Sequence, residues 1–363
     1  MQPFPLITSI DALPPVLAAS VSAEERVFIE GLRTRKTGGL PFAITPHIAS
    51  LAGPDREDPI RRQFFPDPRE ARLDPFALED PLGEAHYRVS PRLIHQYRDR
   101  VLLLAGGACG GYCRFCFRRV RMSSAPSFIS PGELESVLSY LKAHPEIREI
   151  LISGGDPLTT GNEVLEELFT RLREVRPGLL LRICTRIPIT RPERLDQGTV
   201  TLFSRWRPLR LVVHINHQRE LETGRDGYSA GRILSACVDA GVPVHVQTVL
   251  LRGINDSAET LAVLFRECLD QGLTPYYLFQ LDLAPGTAHF RVPLKEGLAM
   301  YRKLQACISG LGLPAYAVDL PGGGGKIRLY DGAIAGEKAV PGGTVYLLQD
   351  SEGKRWSYPA EPV

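Results

Sequence analysis

The stretch VLLLAGGACGGYCRFCFRR, residues 101–119, places a group of cysteines directly after an apolar run. The run at 101–105 is short and continuous, which is typical of a strand buried in a parallel sheet. Cys109, Cys113 and Cys116 follow it with the spacing C-x3-C-x2-C. Thiolates bind iron–sulfur clusters and zinc. The stretch therefore predicts a metal centre on the loop that leaves a buried strand.

The cysteine spacing favours an iron–sulfur cluster over other uses of thiols. A structural zinc site needs four ligands, and the nearest histidine, His95, precedes the strand. A redox pair of Cys113 and Cys116 would leave Cys109 unexplained, and buried structural cysteines rarely gather at ligand spacing. Three thiolates can hold three irons of a [4Fe–4S] cube and leave the fourth iron open to a ligand.

Apolar runs and helical patterns alternate after residue 100. Consecutive strands, apart from the first, start roughly 30–35 residues apart, the length of a βα unit. This fits an α/β fold, either an open, partial (β/α)6 TIM-type barrel or a doubly wound sheet. Glycine and polar motifs follow strand after strand, and barrels gather their active sites at those strand ends, which favours the barrel. The other predicted strands are 149–153, 179–185, 210–215, 243–250 and 276–281, and the predicted helices are 131–143, 162–175, 192–204, 229–240, 257–271 and 294–311.

Three regions are predicted along the chain. Residues 1–95, rich in proline and charge, form an N-terminal wrapping region with helices near 10–19 and 23–33 and a loop-like segment at 44–72. Residues 96–312 form the barrel. Residues 313–363 hold a glycine-rich loop and a short tail with a hairpin around 344–358.

Composition excludes several classes of protein. The net charge of only +2 argues against a nucleic-acid partner. No apolar run reaches the roughly 18 residues of a membrane span, and no signal peptide is expected. The seven cysteines are an odd number, and three of them crowd together. This argues against a disulfide framework and for a reducing, cytoplasmic setting.

Further motifs extend the pattern of the cysteine loop. They are ISGGDPL at 152–158, LLRGIND at 250–256, HFR at 289–291 and PGGGGK at 321–326. Together, from about residue 41 to 359, the chain resembles the lysine 2,3-aminomutase family of radical S-adenosylmethionine (SAM) enzymes. The resemblance implies an isomerase with a [4Fe–4S] cluster on Cys109, Cys113 and Cys116 and SAM on its open iron.

The resemblance also implies SAM contacts at strand ends. Ser153, Gly154, Gly155 and Asp156 match the segment that meets the amino end of SAM, although a strand-to-loop turn alone would also explain the glycines. The other expected SAM contacts are Arg186, His214 and Gln247; a lone histidine on a strand is otherwise a structural residue.

The run of four glycines before Lys326 allows two interpretations. It fails as a phosphate loop, because Leu320 and Ile327 stand where glycine and Ser or Thr are required. It is either a solvated linker or a flexible approach to a lysine that binds pyridoxal 5′-phosphate (PLP). The resemblance implies that Lys326 is catalytic and holds PLP. Tyr97 and Arg100 match positions that hold the PLP phosphate, whereas Gln96 departs from the basic residue common there.

Three charged residues imply the substrate. Arg118 matches the arginine that binds an α-carboxylate, and Asp282 and Asp319 match aspartates that bind the ε-ammonium group of lysine. The expected reaction interconverts L-lysine and β-lysine. The alternatives are a related 2,3-aminomutase that acts on arginine or ornithine, and a lysine aminomutase that supplies β-lysine for the modification of elongation factor P. No cysteine follows Cys307, so the intersubunit zinc site of some relatives is not expected. A reducing partner such as flavodoxin or ferredoxin is implied, and a homo-oligomer is possible.

Overall fold

One mixed sheet, with its strands side by side in chain order, organises the protein. The computed structural model describes residues 5–34, 39–122, 128–330, 332–350 and 352–361. Among these residues the sheet has ten strands, and three more form a separate sheet. The strands of the large sheet are β1 (Arg88–Ser90), β2 (Leu93–Tyr97), β3 (Arg100–Gly106), β4 (Glu149–Gly154), β5 (Leu180–Thr185), β6 (Leu209–His214), β7 (Val244–Val249), β8 (Thr274–Phe279), β9 (Ala315–Leu320) and β10 (Gly325–Arg328).

The parallel part of the sheet runs from β3 to β9. The strand order never reverses, whereas a doubly wound sheet has a point where it does. The predicted partial barrel is therefore confirmed. The structure adds β9 to the six predicted parallel strands; its short sequence AYAVDL carries an acid and gave no clear apolar run. β1 and β2 and, at the other edge, β10 pair antiparallel.

Helices connect the parallel strands, as the alternating pattern predicted. Those of nine residues or more bury an apolar stripe, which in Asn162–Val175 consists of Leu165, Leu168, Phe169 and Leu172. The helices of the chain are α1 (Pro15–Ala19), α2 (Ala23–Thr34), α3 (Pro46–Leu51), α4 (Pro59–Phe64), α5 (Arg119–Met122), α6 (Pro131–Ala143), α7 (Asn162–Val175), α8 (Ile187–Thr190), α9 (Gln197–Arg205), α10 (Ala230–Asp239), α11 (Ala258–Asp270) and α12 (Leu294–Cys307).

The N-terminal region is more ordered than its prolines suggested. The segment 44–72, expected as a loop, contains α3, α4 and a 3-10 turn at Pro68–Ala71. Each of these begins with a proline in its first turn, where the missing N–H costs nothing. Thr45 and Asp58 cap α3 and α4 by accepting hydrogen bonds from backbone N–H groups. The helix expected at 10–19 is interrupted, since a 3-10 turn ends at Ala12 and α1 starts at Pro15.

Separate hydrophobic clusters hold these layers together. The largest lies between the sheet and the barrel helices. A second one lies within the N-terminal region, and Cys113 packs against it. The boundaries at residues 95 and 312 stay predictions.

The tail forms a small antiparallel sheet of β11 (Ile334–Val340), β12 (Gly343–Gln349) and β13 (Arg355–Pro359). The hairpin expected around 344–358 is confirmed as β12 and β13, and β11 is an addition. Tyr358 anchors the tail to the barrel, because its hydroxyl donates to the carbonyl of Leu281 at 3.2 Å. Within the described residues, no helix has the length and apolarity to cross a bilayer.

Candidate active site

A cavity of ≈ 570 Å³ opens at the carboxyl ends of the parallel strands. Barrel enzymes place their chemistry at this end of the sheet. Every site residue expected from the sequence lines this one cavity. They are Tyr97, Arg100, Cys109, Cys113, Cys116, Arg118, Ser153, Gly154, Gly155, Asp156, Arg186, His214, Gln247, Asp282, Asp319 and Lys326.

The cysteine loop, residues 107–118, is hydrogen-bonded to the N-terminal region. The N–H of Tyr112 donates to the carbonyl of Ala43 at 2.9 Å, and the N–H of Arg114 donates to that of Gln63 at 2.8 Å. Arg114 is fully buried and forms an ion pair with Glu70 at 2.6 Å. Residues that precede the barrel in the chain therefore fix the backbone that carries the three cysteines.

The thiols suit a cluster with several metal ions. Burial, with the charge of Cys113, raises the pKa of Cys116 to about 11, and burial raises the pKa of Cys109 and Cys113. Thiolates here therefore need a strongly cationic ligand. In the described part of the chain, no three acidic, histidine or cysteine side chains converge tightly enough for a single ion. The three thiols line one cavity, and a [4Fe–4S] cube would bind each of three thiolates on a different iron.

Glycines let the end of β4 approach the cysteine loop. A Cβ on Gly155 would lie 2.3 Å from the carbonyl oxygen of Ala108, so no other residue fits without a shift. The next residue, Asp156, donates its backbone N–H to the same carbonyl at 2.7 Å. The glycines expected from the sequence thus have a structural reason as well.

The carboxylate of Asp156 is hydrogen-bonded to other residues of the protein. It accepts hydrogen bonds from the hydroxyl of Thr185 at 2.7 Å and from the N–H of Arg186 at 2.6 Å. Burial raises its pKa to about 6 despite these bonds. The geometry points to a residue that joins the ends of β4 and β5, and a direct contact with SAM stays a prediction.

Arg186 reaches the cysteine loop through a buried network. One guanidinium nitrogen donates to the sulfur of Cys113 at 2.7 Å, and another to Glu220 at 3.1 Å and Gln63 at 2.5 Å. No motif in the sequence marks Glu220 or Gln63 as partners of Arg186. Gln63 lies on α4, in the segment expected to be a loop, so nothing local marked it.

His214 is neutral in this setting. Burial, followed by the positive charge of Arg186, lowers its pKa to about 3. Its Nε2 lies 2.9 Å from the side-chain oxygen of Asn216. A neutral ring beside Phe115, with centroids 5.3 Å apart, gives this wall of the cavity an aromatic, uncharged surface.

Lys326 lies on the edge strand β10, opposite Asp319 on β9. Its amine is 2.5 Å from the Asp319 carboxylate and 3.9 Å from the ring centre of Phe279. Its backbone N–H donates to the hydroxyl of Tyr97 at 2.9 Å. Lysine, acid and tyrosine therefore meet at one end of the cavity.

Asp282 adds a second acid to this end. Burial, together with the charge of Asp319, raises its pKa to about 8. Ionisation of either acid raises the cost of ionising the other, so a cation near both stabilises the ionised pair.

Arg118 lies between the two ends of the cavity. Its Nη2 is 2.5 Å from a carboxylate oxygen of Glu84, and its Nη1 is 3.5 Å from the hydroxyl of Ser153. Glu84 was not among the residues that the sequence pointed to. It lies in the proline-rich region before the barrel, and only the tertiary structure shows it at the cavity.

Comparisons with known proteins agree with this geometry. Residues 103–264 match the radical SAM superfamily. The chain is 46% identical to a Treponema pallidum protein provisionally named L-lysine 2,3-aminomutase, over 78% of each chain. It is 36% identical to the L-lysine 2,3-aminomutase of Clostridium subterminale, over 89% of this chain and 76% of the relative. A glutamate 2,3-aminomutase of Clostridioides difficile is 31% identical over 98% and 81%.

The cofactors expected from the sequence, a [4Fe–4S] cluster, SAM and PLP, are those of these enzymes. The three thiols at one end of the cavity and the lysine at the other suit them. The chain therefore belongs to the lysine 2,3-aminomutase family of radical SAM isomerases.

Proposed function

We propose that the protein interconverts L-lysine and β-lysine by moving an amino group between C2 and C3. The observation that carries this proposal is the pair of acids, Asp282 and Asp319, in the same cavity as Arg118. A substrate with a carboxylate at one end and an ammonium group at the other complements this arrangement. A glutamate side chain would instead bring a third carboxylate to the two acids.

Each charged residue has a distinct role in this proposal. Arg118 binds the α-carboxylate, since a guanidinium fork matches two carboxylate oxygens. Asp282 and Asp319 bind the ε-ammonium group. Lys326 holds PLP and carries the catalytic amine, while Tyr97 and Arg100 face the PLP phosphate. The ring of Tyr97 lies 4.0 Å below the guanidinium of Arg100, which orients it.

The other end of the cavity would hold the remaining cofactors. Cys109, Cys113 and Cys116 bind the cluster. SAM would be surrounded by residues that contact it or shape its pocket: Ser153, Gly154, Gly155, Asp156, Arg186, His214 and Gln247. When bound, the three cofactors supply one-electron chemistry and a carrier for the migrating amino group.

The protein itself positions the substrate and shields the reaction. Phe115 lines the cavity and packs edge-on against the buried Phe290, with ring centroids 6.4 Å apart, so this part of the wall is apolar. A shielded cavity protects reactive species from side reactions. We further propose that a flavodoxin or ferredoxin delivers the electron in a reducing cytoplasm.

Anaerobic assay of the reconstituted protein tests the substrate. Lysine, arginine, ornithine, glutamate and alanine are supplied separately, and products are measured by chromatography. Lysine should turn over fastest, with arginine and ornithine slower. Faster turnover of glutamate or alanine would contradict the role of the two aspartates.

Asp282→Asn and Asp319→Asn are the matched variants for this assay. Each removes a charged contact, so lysine turnover should fall roughly tenfold or more. Alanine has no side-chain ammonium group, so any turnover of alanine should stay unchanged in these variants. Equal losses for lysine and alanine would show that the substitutions damage the site in general.

A further inference from the structure

Residues 80–87, here called the strap, line the cavity with Leu82 and Glu84 and lie next to the glycine-rich loop at 321–326. The carbonyl of Pro81 accepts a hydrogen bond from the N–H of Gly322 at 3.0 Å. The hydroxyl of Tyr87 donates to the carbonyl of Gly323 at 2.7 Å. The strap therefore lies directly against the loop that carries Lys326.

The contact between strap and loop depends on glycine in the strap. Gly83 has a φ of +62°, and a Cβ there would lie 2.6 Å from the backbone nitrogen of Gly323. Its successor, Glu84, starts a 3-10 turn that ends at Tyr87. Close packing of the two backbones thus sets where the side chain of Glu84 enters the cavity.

Glu84 is almost completely buried, with 6% of its surface exposed. Its carboxylate pairs with Nη2 of Arg118 at 2.5 Å. The backbone N–H groups of Glu84 and Ala85 donate to the side chain of Asp80, at 3.1 and 2.8 Å. The strap therefore presents one fixed carboxylate to Arg118.

Arg118 keeps donors available despite this ion pair. Within the described part of the chain, its Nε is buried without a hydrogen-bond acceptor. Its Nη1 approaches the hydroxyl of Ser153 at 3.5 Å, the outer limit of a hydrogen bond. A buried donor without an acceptor is costly, so the Nε–H, on the edge of the guanidinium that Nε shares with Nη2, is suited to receive a carboxylate from a ligand.

We propose that Glu84 is a positioning residue, which fixes the guanidinium of Arg118 so that its remaining donors meet the substrate α-carboxylate. This rests on the role of Arg118 in the proposed function. An arginine side chain has many rotamers, and a buried partner removes that freedom before substrate arrives. The strap also hydrogen-bonds to the glycine-rich loop. It therefore fixes the position of Arg118 relative to Lys326.

The test compares L-lysine with L-lysinamide, which lacks the carboxylate charge. In Glu84→Gln, KM for lysine should rise about tenfold while kcat stays within about twofold. The affinity for lysinamide, measured as substrate or competitive inhibitor, should hardly change. Glu79→Gln is the matched control, since Glu79 is an exposed acid just before the strap, and it should behave as the unaltered protein.

A second variant guards against poor folding of the first. Asp80→Asn leaves the ion pair in place but loosens the strap, so KM for lysine should rise by less and KM for lysinamide should stay constant. A lower KM for lysine in Glu84→Gln would mean that Glu84 competes with the substrate, and would overturn the proposal. Equal losses for lysine and lysinamide would overturn it too, since they would indicate a structural role.

Failure of the proposed function has a different signature. In that case the unaltered protein converts another amino acid in preference to lysine. The same comparison, made with that amino acid and its amide, still decides whether Glu84 orients Arg118.

Discussion

Asp282 is the residue whose ionisation should govern substrate binding. Its pKa of about 8 means that the neutral form predominates below pH 8. An ε-ammonium group favours the ionised form, so binding must release a proton in that range. Affinity for lysine should therefore rise with pH and level off above about 8. Below this pKa the loss should approach about tenfold per pH unit.

Two measurements check this dependence on Asp282. The pH profile of kcat/KM for lysine should show the rise, and Asp282→Asn should flatten that part of the profile at a lower level. Calorimetry in buffers of different ionisation enthalpy should detect proton release on binding at pH 7. A flat profile for the unaltered protein would mean that Asp282 is already ionised.

Lys326 is the second residue with a direct chemical test. Its amine faces Asp319 and Phe279 inside the cavity, whereas an ordinary linker lysine would face solvent. Borohydride reduction in the presence of PLP should fix the cofactor on the peptide that contains Lys326, as seen by mass spectrometry. Lys326→Ala should abolish this adduct and turnover while keeping the iron content. An adduct on another lysine would exclude this role.

At the scale of elements, the N-terminal segment works as a support for the cysteine loop. Glu70, whose side chain is 2% exposed, pairs with both Arg114 and Arg119. Glu70→Gln would leave two buried arginines short of their counter-charge, and breaking a buried pair costs about 3–5 kcal/mol. We expect a clearly lower Tm and less iron bound after reconstitution.

The control for this variant lies in the same region. Asp11→Asn breaks an exposed ion pair with Arg26, and exposed pairs contribute little. Its Tm and iron content should match the unaltered protein. If Glu70→Gln kept full iron content, the support would be unnecessary for cluster binding.

Elements also show what local sequence could and could not predict. The strands from β3 to β8 were predictable because each combines a continuous apolar run with a motif at its end. The helices α3 and α4 were not, because prolines in a first turn look the same as prolines in a loop. Glu84, Gln63 and Glu220 carry no local pattern. They reach the cavity only through tertiary contacts, so a single sequence gives no signal for them.

At the scale of the whole molecule, we predict that all activity depends on the cysteine loop. Anaerobically reconstituted protein should contain about four irons and four sulfides per chain. Adding SAM should change the electron paramagnetic resonance spectrum of the reduced protein. Cys109→Ala, Cys113→Ala and Cys116→Ala should each abolish SAM cleavage. Cys307→Ser, which alters an exposed cysteine away from the cavity, should not.

The same experiment has a clear opposite outcome. Stoichiometric zinc without iron after anaerobic reconstitution would mean that the three thiols serve another metal. The cluster assignment would then fail even if Lys326 still bound PLP.

The contact of Gly83 with Gly323 limits how this protein can change over generations. A side chain on Gly83 would strike the backbone of Gly322 and Gly323, and one on Gly323 would press on Tyr87 at 3.1 Å. At Gly83 the obstacle is backbone, which a second substitution cannot shorten. At Gly323 the nearest obstacle is the side chain of Tyr87, followed by the Cα of Gly83. A saturation library should therefore leave both positions as glycine, although they are 240 residues apart in the printed sequence. A descendant that replaces either glycine would need changes in the backbone of both the strap and the glycine-rich loop.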